Sequence, residues 1–254
     1  MIGEEIVAVV GATGGTGTTR LVVETAGTLA REGHDVAVLD AAFATQGLSE
    51  YVPETLDVDL TAVLADDRDV EDALYPLVTG LDGQCLCCPT AAPFERLARA
   101  KTAGASRRFR NVVDAVASSV AYVLVDVPPV AANQAVAAVD AAETMVLVAP
   151  ATEHGADGVA RMRARLADVQ SGDDVVVANR HGSADADGGG DHPLTAEAAV
   201  TLPVSDVVEP ADAPVCAETA DGAFPWAVAQ TVETTLDVST SVDPPESGLL
   251  DRLG

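Results

Sequence analysis

Residues 7–23 read VAVVGATGGTGTTRLVV, and the fold of the chain turns on this stretch. Four apolar residues, 7–10, form the end of a buried strand, and glycines at 11, 14, 15 and 17 interrupt it. Apolar spacing then resumes with the period of a helix. A strand that enters a helix through glycines gathers backbone N–H groups at the positive end of the helix, and such a turn holds an anion. The helical pattern continues through TRLVVETAGTLAREG, residues 19–33, with Arg31 in the last turn and Gly33 as terminator.

Two phosphate-binding turns overlap here. In one, Gly14, Gly15, Thr16, Gly17, Thr18 and Thr19 form a P-loop, with Thr19 as the hydroxyl that holds Mg²⁺ and Thr18 where the phosphate-bridging lysine belongs. In the other, Gly11, Gly14 and Gly17 make the G-x-x-G-x-x-G turn of an NAD(P)-binding oxidoreductase, and Asp40 takes the ribose hydroxyls. Arg20 does not stand in for the lysine, because one further helical residue rotates a side chain by about 100°, away from the phosphates. The loop alone leaves both turns open.

Around it, apolar runs recur at 6–11 (IVAVVG), 35–40 (DVAVLD), 122–128 (YVLVDVP), 144–150 (TMVLVAP) and 174–179 (DVVVAN), with a weaker one at 83–88 (GQCLCC). Helical patterns separate them. The alternation predicts an α/β fold, a doubly wound and mostly parallel sheet with ligands at the carboxyl ends of its strands. One domain is expected over residues 1–236. The acidic, glycine-rich GSADADGGGD at 182–191 reads as a surface loop, and residues 237–254 as a flexible linker with a short C-terminal segment.

The chain has 254 residues, 40 acidic against 14 basic, a formal charge of −26 and a pI near 4.1. This is the balance of a salt-rich, halophile-like cytosol, where a dense acidic surface stays hydrated and its self-repulsion is screened. Direct nucleic-acid binding is not expected, since no basic run exists; Arg107, Arg108 and Arg110 read as a solvated helix face. With neither a leader pattern nor a membrane-length apolar run, the expected location is cytoplasmic. Cys85, Cys87 and Cys88 are either packing residues of a buried strand or a soft-metal site completed across a dimer. His34, His154, His181 and His192 are scattered and read as surface residues.

The loop resembles the deviant P-loop KGGxGK[ST] of the ParA/MinD family, with both lysines replaced, by Thr13 and Thr18. Three further stretches carry the resemblance. YVLVDVPP is similar to the family's strand ending in Asp-x-Pro, which implies that Asp126 is the catalytic carboxylate that orients Mg²⁺ or the attacking water. VVVANR is similar to its adenine-recognition segment, which implies roles for Asn179 and Arg180 against the base. VDLTAVLADDRDVEDAL is similar to the segment after its second strand. Asp40 then matches the first Asp of a D-x-D pair whose second member is Ala42.

The resemblance covers residues 5–236 and implies ATP or ADP with Mg²⁺ as ligand, held weakly if at all, and impaired hydrolysis. It also implies a role in spatial organisation, partitioning, cell division or regulation, with an unidentified protein partner and a homodimer to be considered. An active ATPase and an atypical short-chain oxidoreductase remain the alternatives; Lys101 has Leu97 four residues before it, so the Tyr-x-x-x-Lys pair is missing. In residues 248–254, Leu249, Leu250 and Leu253 share one helical face, as in the short membrane-contacting helix that ends MinD proteins; a solvated terminus is the competing interpretation.

Overall fold

The computed structural model describes residues 5–129, 132–167, 169, 174–181 and 193–245, with Arg180, His181 and Pro193 described by backbone alone. In chain order the elements begin with β1 (Glu5–Gly11), α1 (Thr18–Arg31), β2 (Val36–Asp40), α2 (Leu60–Asp66), β3 (Tyr75–Val78) and β4 (Cys85–Cys88). Next come α3 (Phe94–Ala100), α4 (Ala103–Ala117), β5 (Tyr122–Val127), α5 (Asn133–Ala141), β6 (Thr144–Pro150) and α6 (Glu153–Leu166). The rest are β7 (Asp174–His181), α7 (Pro193–Glu197), β8 (Val200–Pro203), α8 (Val215–Glu218) and α9 (Ala223–Leu236).

The strands form one sheet in the order β3-β4-β2-β5-β1-β6-β7-β8, parallel throughout except for β3 against β4. Helices cover both faces, so the expected mostly parallel α/β sheet is what forms. Side chains alternate along each strand into two cores. Ile6, Ala8 and Val10 join Phe109, Val139 and Met162 in the core on one face, while Val7 and Val9 join Leu29, Val228 and Val232 on the other.

This order removes the dinucleotide alternative. A dinucleotide-binding sheet places its first strand beside its second. Here β5 lies between β1 and β2. The expectation that the glycines could serve an NAD(P) turn is therefore corrected by topology, which a local motif does not encode.

Helix α1 ends as its sequence predicts. Gly33 is left-handed (φ 87°), its N–H donates to the Ala30 carbonyl, and the His34 N–H reaches the Leu29 carbonyl. Edge strands β3 and β8 escaped the sequence reading. Each has four residues with a proline, too short for a convincing pattern and acceptable only at an edge. All four cysteines are buried, Cys85 and Cys87 in the core beside α1 and Cys88 in the opposite one. Burial pushes the Cys85 thiol up to about 12 and raises those of Cys87 and Cys88 as well. Among the described residues no group of three or more His, Cys, Asp or Glu could hold a metal ion.

Beyond α9 the chain turns back on itself. Thr240 donates to Glu233 and Ser241 to Glu32, and Val242 is buried. The acidic loop at 182–191 and the segment at 248–254 lie outside the described residues. No helix among the described residues is long and apolar enough to cross a membrane.

Candidate functional site: a lysine-free phosphate loop

The loop between β1 and α1 bends at Gly15 and Gly17, with φ of 72° and 79°, a region closed to most side chains. Gly17 is also the residue before the helix. No side chain caps α1 there, so its N-terminal N–H groups are kept for another acceptor. A Cβ on Gly17 would lie 2.5 Å from Asn179 Nδ2, and that amide donates to the Thr16 carbonyl at 2.7 Å. Asn179 of β7 thus fastens the crown of the loop. Arg180 follows it in the strand, and its side chain lies outside the described residues.

The threonines that replace lysine face different ways. Thr18, nearly buried, turns inward, with its hydroxyl 2.7 Å from that of Thr16 and both oxygens against Gly11. The methyl of Thr13 rests on Gly158 of α6. Thr19 points down to the sheet and donates to Asp126 Oδ2 at 2.6 Å.

Strand alternation explains why two acidic residues meet beneath the loop. Val36 and Val38 of β2 face α1, and so do Tyr122 and Leu124 of β5. Two residues further on, Asp40 and Asp126 face the same side and are register neighbours. Asp40 is fully buried and accepts from the N–H groups of Ala42 (2.7 Å) and Thr90 (3.1 Å). Burial raises its pKa, the Asp126 charge raises it further, and the two N–H donors pull it back. Burial raises that of Asp126 too, against the lowering effect of the Thr19 hydroxyl. Two carboxyls side by side favour a shared proton or a cation between them. A hydroxyl and a carboxylate in contact are hard oxygen donors, and this pair fits Mg²⁺.

Above them lies a cleft of about 350 Å³. Residues 13–20 and Asp126 line it, as do Ala42, Thr45, Gly47, Glu50, Tyr51, Pro128 and Pro129. The contribution of Gly47–Tyr51, a short 3₁₀ turn after β2, carries no motif that the sequence could have announced. Asp40 sits beneath the cleft and sets the backbone of the Ala42 and Thr90 loops. Arg20 lines the cleft edge, a position that helical rotation alone did not suggest. A larger groove of about 850 Å³ lies between α4 and α5. Its Arg110 already pairs with Asp140, and Arg108 donates to the Leu64 carbonyl, so these arginines are occupied on the helix surface.

A family model described as an AAA domain matches residues 4–176. An uncharacterized ATP-binding protein of Methanocaldococcus jannaschii is 30% identical over 143 residues, 56% of this chain and 51% of that protein; the matched stretch spans about half of that relative. The septum site-determining protein MinD of Pyrococcus horikoshii, solved with Mg-ADP, superposes with a TM-score of 0.74 at 20% identity, over 91% of this chain and 95% of its own. The cell division ATPase MinD of Pyrococcus furiosus gives 0.76 at 21% identity, over 91% and 97%. A ParA family ATPase from Chlorobium tepidum gives 0.66 at 16%, over 80% and 86%. At such identities the structural likeness concerns the fold, while the family match spans β1, the loop, the segment after β2 and β5, and ends before Asn179 and Arg180. The chain belongs to the AAA-domain family of P-loop proteins and has the fold of MinD and ParA.

Proposed function

We propose that the protein binds ATP or ADP with Mg²⁺ in the cleft above Asp126 and turns it over negligibly, serving as a regulatory or spatial-organisation component of the ParA/MinD type. The carrying observation is the split state of the loop. Its backbone, its helix N-terminus and its Thr19–Asp126 pair are in place, but Thr18 folds inward onto Thr16 where a lysine would extend. Backbone donors at Gly14, Gly15 and Gly17 would hold the phosphates, and Thr19 with Asp126 would hold the metal ion. When bound, Mg²⁺ supplies charge neutralisation between phosphate oxygens.

Catalysis of phosphoryl transfer is almost entirely positioning and electrostatic stabilisation, so losing the lysine and the second acidic residue at Ala42 affects turnover more than binding. A loss of several kcal/mol in the transition state corresponds to a thousandfold or more in rate. Without a side chain at Thr13 long enough to reach a neighbouring subunit, ATP does not drive dimer formation. Residues 1–236 serve as the nucleotide-binding domain, and 237–254 as a linker whose last residues, 248–254, meet a protein partner or a membrane surface. The Aquifex aeolicus MinD solved as a MinC:MinD complex supports a protein partner.

Calorimetry with ATP, ADP and NADPH, beside phosphate-release and light-scattering measurements, tests this. Adenine nucleotide binding with negligible phosphate release and no ATP-induced dimer is expected. Robust Mg²⁺-dependent hydrolysis that Asp126→Ala abolishes would establish an active ATPase instead.

A further inference from the structure

Arg20 is the only cation among the described residues that line the cleft. Its guanidinium is held from three sides. Nε donates to Glu24 Oε1 at 2.6 Å, Nη1 donates to the Val207 carbonyl at 3.1 Å, and the group lies 6.0 Å from the centre of the Phe224 ring. Glu24 is fully buried and is itself fixed by the N–H groups of Val215 and Cys216, at 3.1 and 2.8 Å. The third nitrogen, Nη2, is buried without a hydrogen-bond partner among the described residues. A buried charged donor left unpaired is costly and rare, so this nitrogen lacks an acceptor that the described residues do not supply.

We infer that Arg20 is an anion-binding residue of this cleft, its Nη2 group pairing with a phosphate oxygen of the bound ligand. The inference rests on the proposed nucleotide site and extends it. The cation of this loop has moved from the helix start to its third residue, on the flank facing the Val207 segment and the first turn of α9. A guanidinium clamped by Glu24 and the Val207 carbonyl loses little freedom when a phosphate arrives, and it presents a fixed donor rather than a mobile charge. An ammonium in the lysine position would sit at the loop centre; Arg20 grips the phosphate chain from its edge. Positioning the loop through Glu24 is the competing role, and it predicts a different experimental outcome.

The test titrates the full chain and its Arg20→Gln and Arg20→Lys variants with ADP and with tripolyphosphate, in Mg²⁺ and at several salt concentrations. Arg20→Gln should weaken both ligands by about 10- to 100-fold, the range of a charge-assisted hydrogen bond. It should also flatten the salt dependence of affinity, which loss of a mere scaffold would leave as steep as before. Arg20→Lys keeps the charge but loses the fork, and should recover part of the affinity; it carries the test where Arg20→Gln fails to fold. Unchanged ADP affinity in either variant, or a loss with unchanged salt dependence, overturns the role. Tripolyphosphate that binds through Arg20 with no preference for ADP would uphold Arg20 and refute the nucleotide. Wild-type protein that binds neither ligand refutes both.

Discussion

Replacing Thr18 by lysine asks whether the loop lacks only its cation. Thr18 is 9% exposed, and its hydroxyl shares a 2.7 Å hydrogen bond with that of Thr16, which is 4% exposed. A lysine stem must leave this pocket, since a Cβ placed on Gly11 would already stand 2.9 Å from Thr18 Oγ1. Losing the hydroxyl pair costs about 0.5–1.5 kcal/mol, rising to about 1–3 if Thr16 is left unpaired. For a chain of this size that lowers the melting temperature by roughly 1–12 °C. In return an ammonium enters a cleft that already holds Asp126 and Glu50. One or two charge-assisted bonds to phosphate, at about 1.5–3 kcal/mol each, tighten ADP binding by at least 10- to 100-fold. Isothermal titration with Mg²⁺ and ADP, beside a melting curve of the apo variant, reads both effects. A variant that melts within that range yet binds ADP no better than wild type would refute the reasoning, because the loop would then be no phosphate cradle.

Three further perturbations probe the surroundings. Gly17→Ala places a methyl at φ 79° and 2.5 Å from Asn179 Nδ2, and should cost about 1–2 kcal/mol for the left-handed backbone alone, with Asn179→Ala relieving only the contact, as urea melts of the single and double variants will read. Thr19→Val removes the donor to Asp126 while keeping the shape, so stability should fall by about 1.5–3 kcal/mol and the Mg²⁺ dependence of nucleotide affinity should vanish in calorimetry. Asp40 and Asp126 titrate higher in the fold than in the unfolded chain, so their stabilisation is complete below the ordinary carboxylate range and is lost as pH rises through the raised values. The slope is about 1.4 kcal/mol per pH unit for each extra proton the fold retains, and urea midpoints between pH 4 and 8 should fall less steeply in Asp40→Asn.

Local patterns were legible, and juxtapositions were not. The β1 run, the glycines and Gly33 each announce their conformation through their own side chains, or lack of one, and the structure follows them. Asp126 was visible because an apolar strand ended in a carboxylate before two prolines. Its pairing with Asp40 was not, because β5 inserts between β1 and β2 only once the sheet is assembled. Nothing in the helical pattern of 19–33 announces that Glu24 is fully buried, because the Val215 and Cys216 N–H groups that satisfy it arrive from 191 and 192 residues away. The angle of its Cα on the helix, taken alone, turns Arg20 away from the phosphates. Its long stem let Glu24 and Val207 decide where the guanidinium went.

Charge fixes the order in which ligands can enter this cleft. Asp126 and Glu50 line it and Asp40 lies just beneath, while Arg20, the one cation lining it among the described residues, is already paired with Glu24. At a net charge of −26, the surrounding protein adds to the negative potential. A free triphosphate therefore meets repulsion at the point where a lysine would have attracted it. A divalent cation held by Thr19 and Asp126 reverses the local sign, and it also offsets the Asp126 charge that adds to the effect of burial in raising the Asp40 carboxyl. Cation and phosphate then bind with positive coupling, each improving the site for the other by the same factor. Calorimetry should show ADP affinity rising with Mg²⁺ concentration, and affinity that is equal in EDTA would mean that the carboxylate pair takes no part in binding.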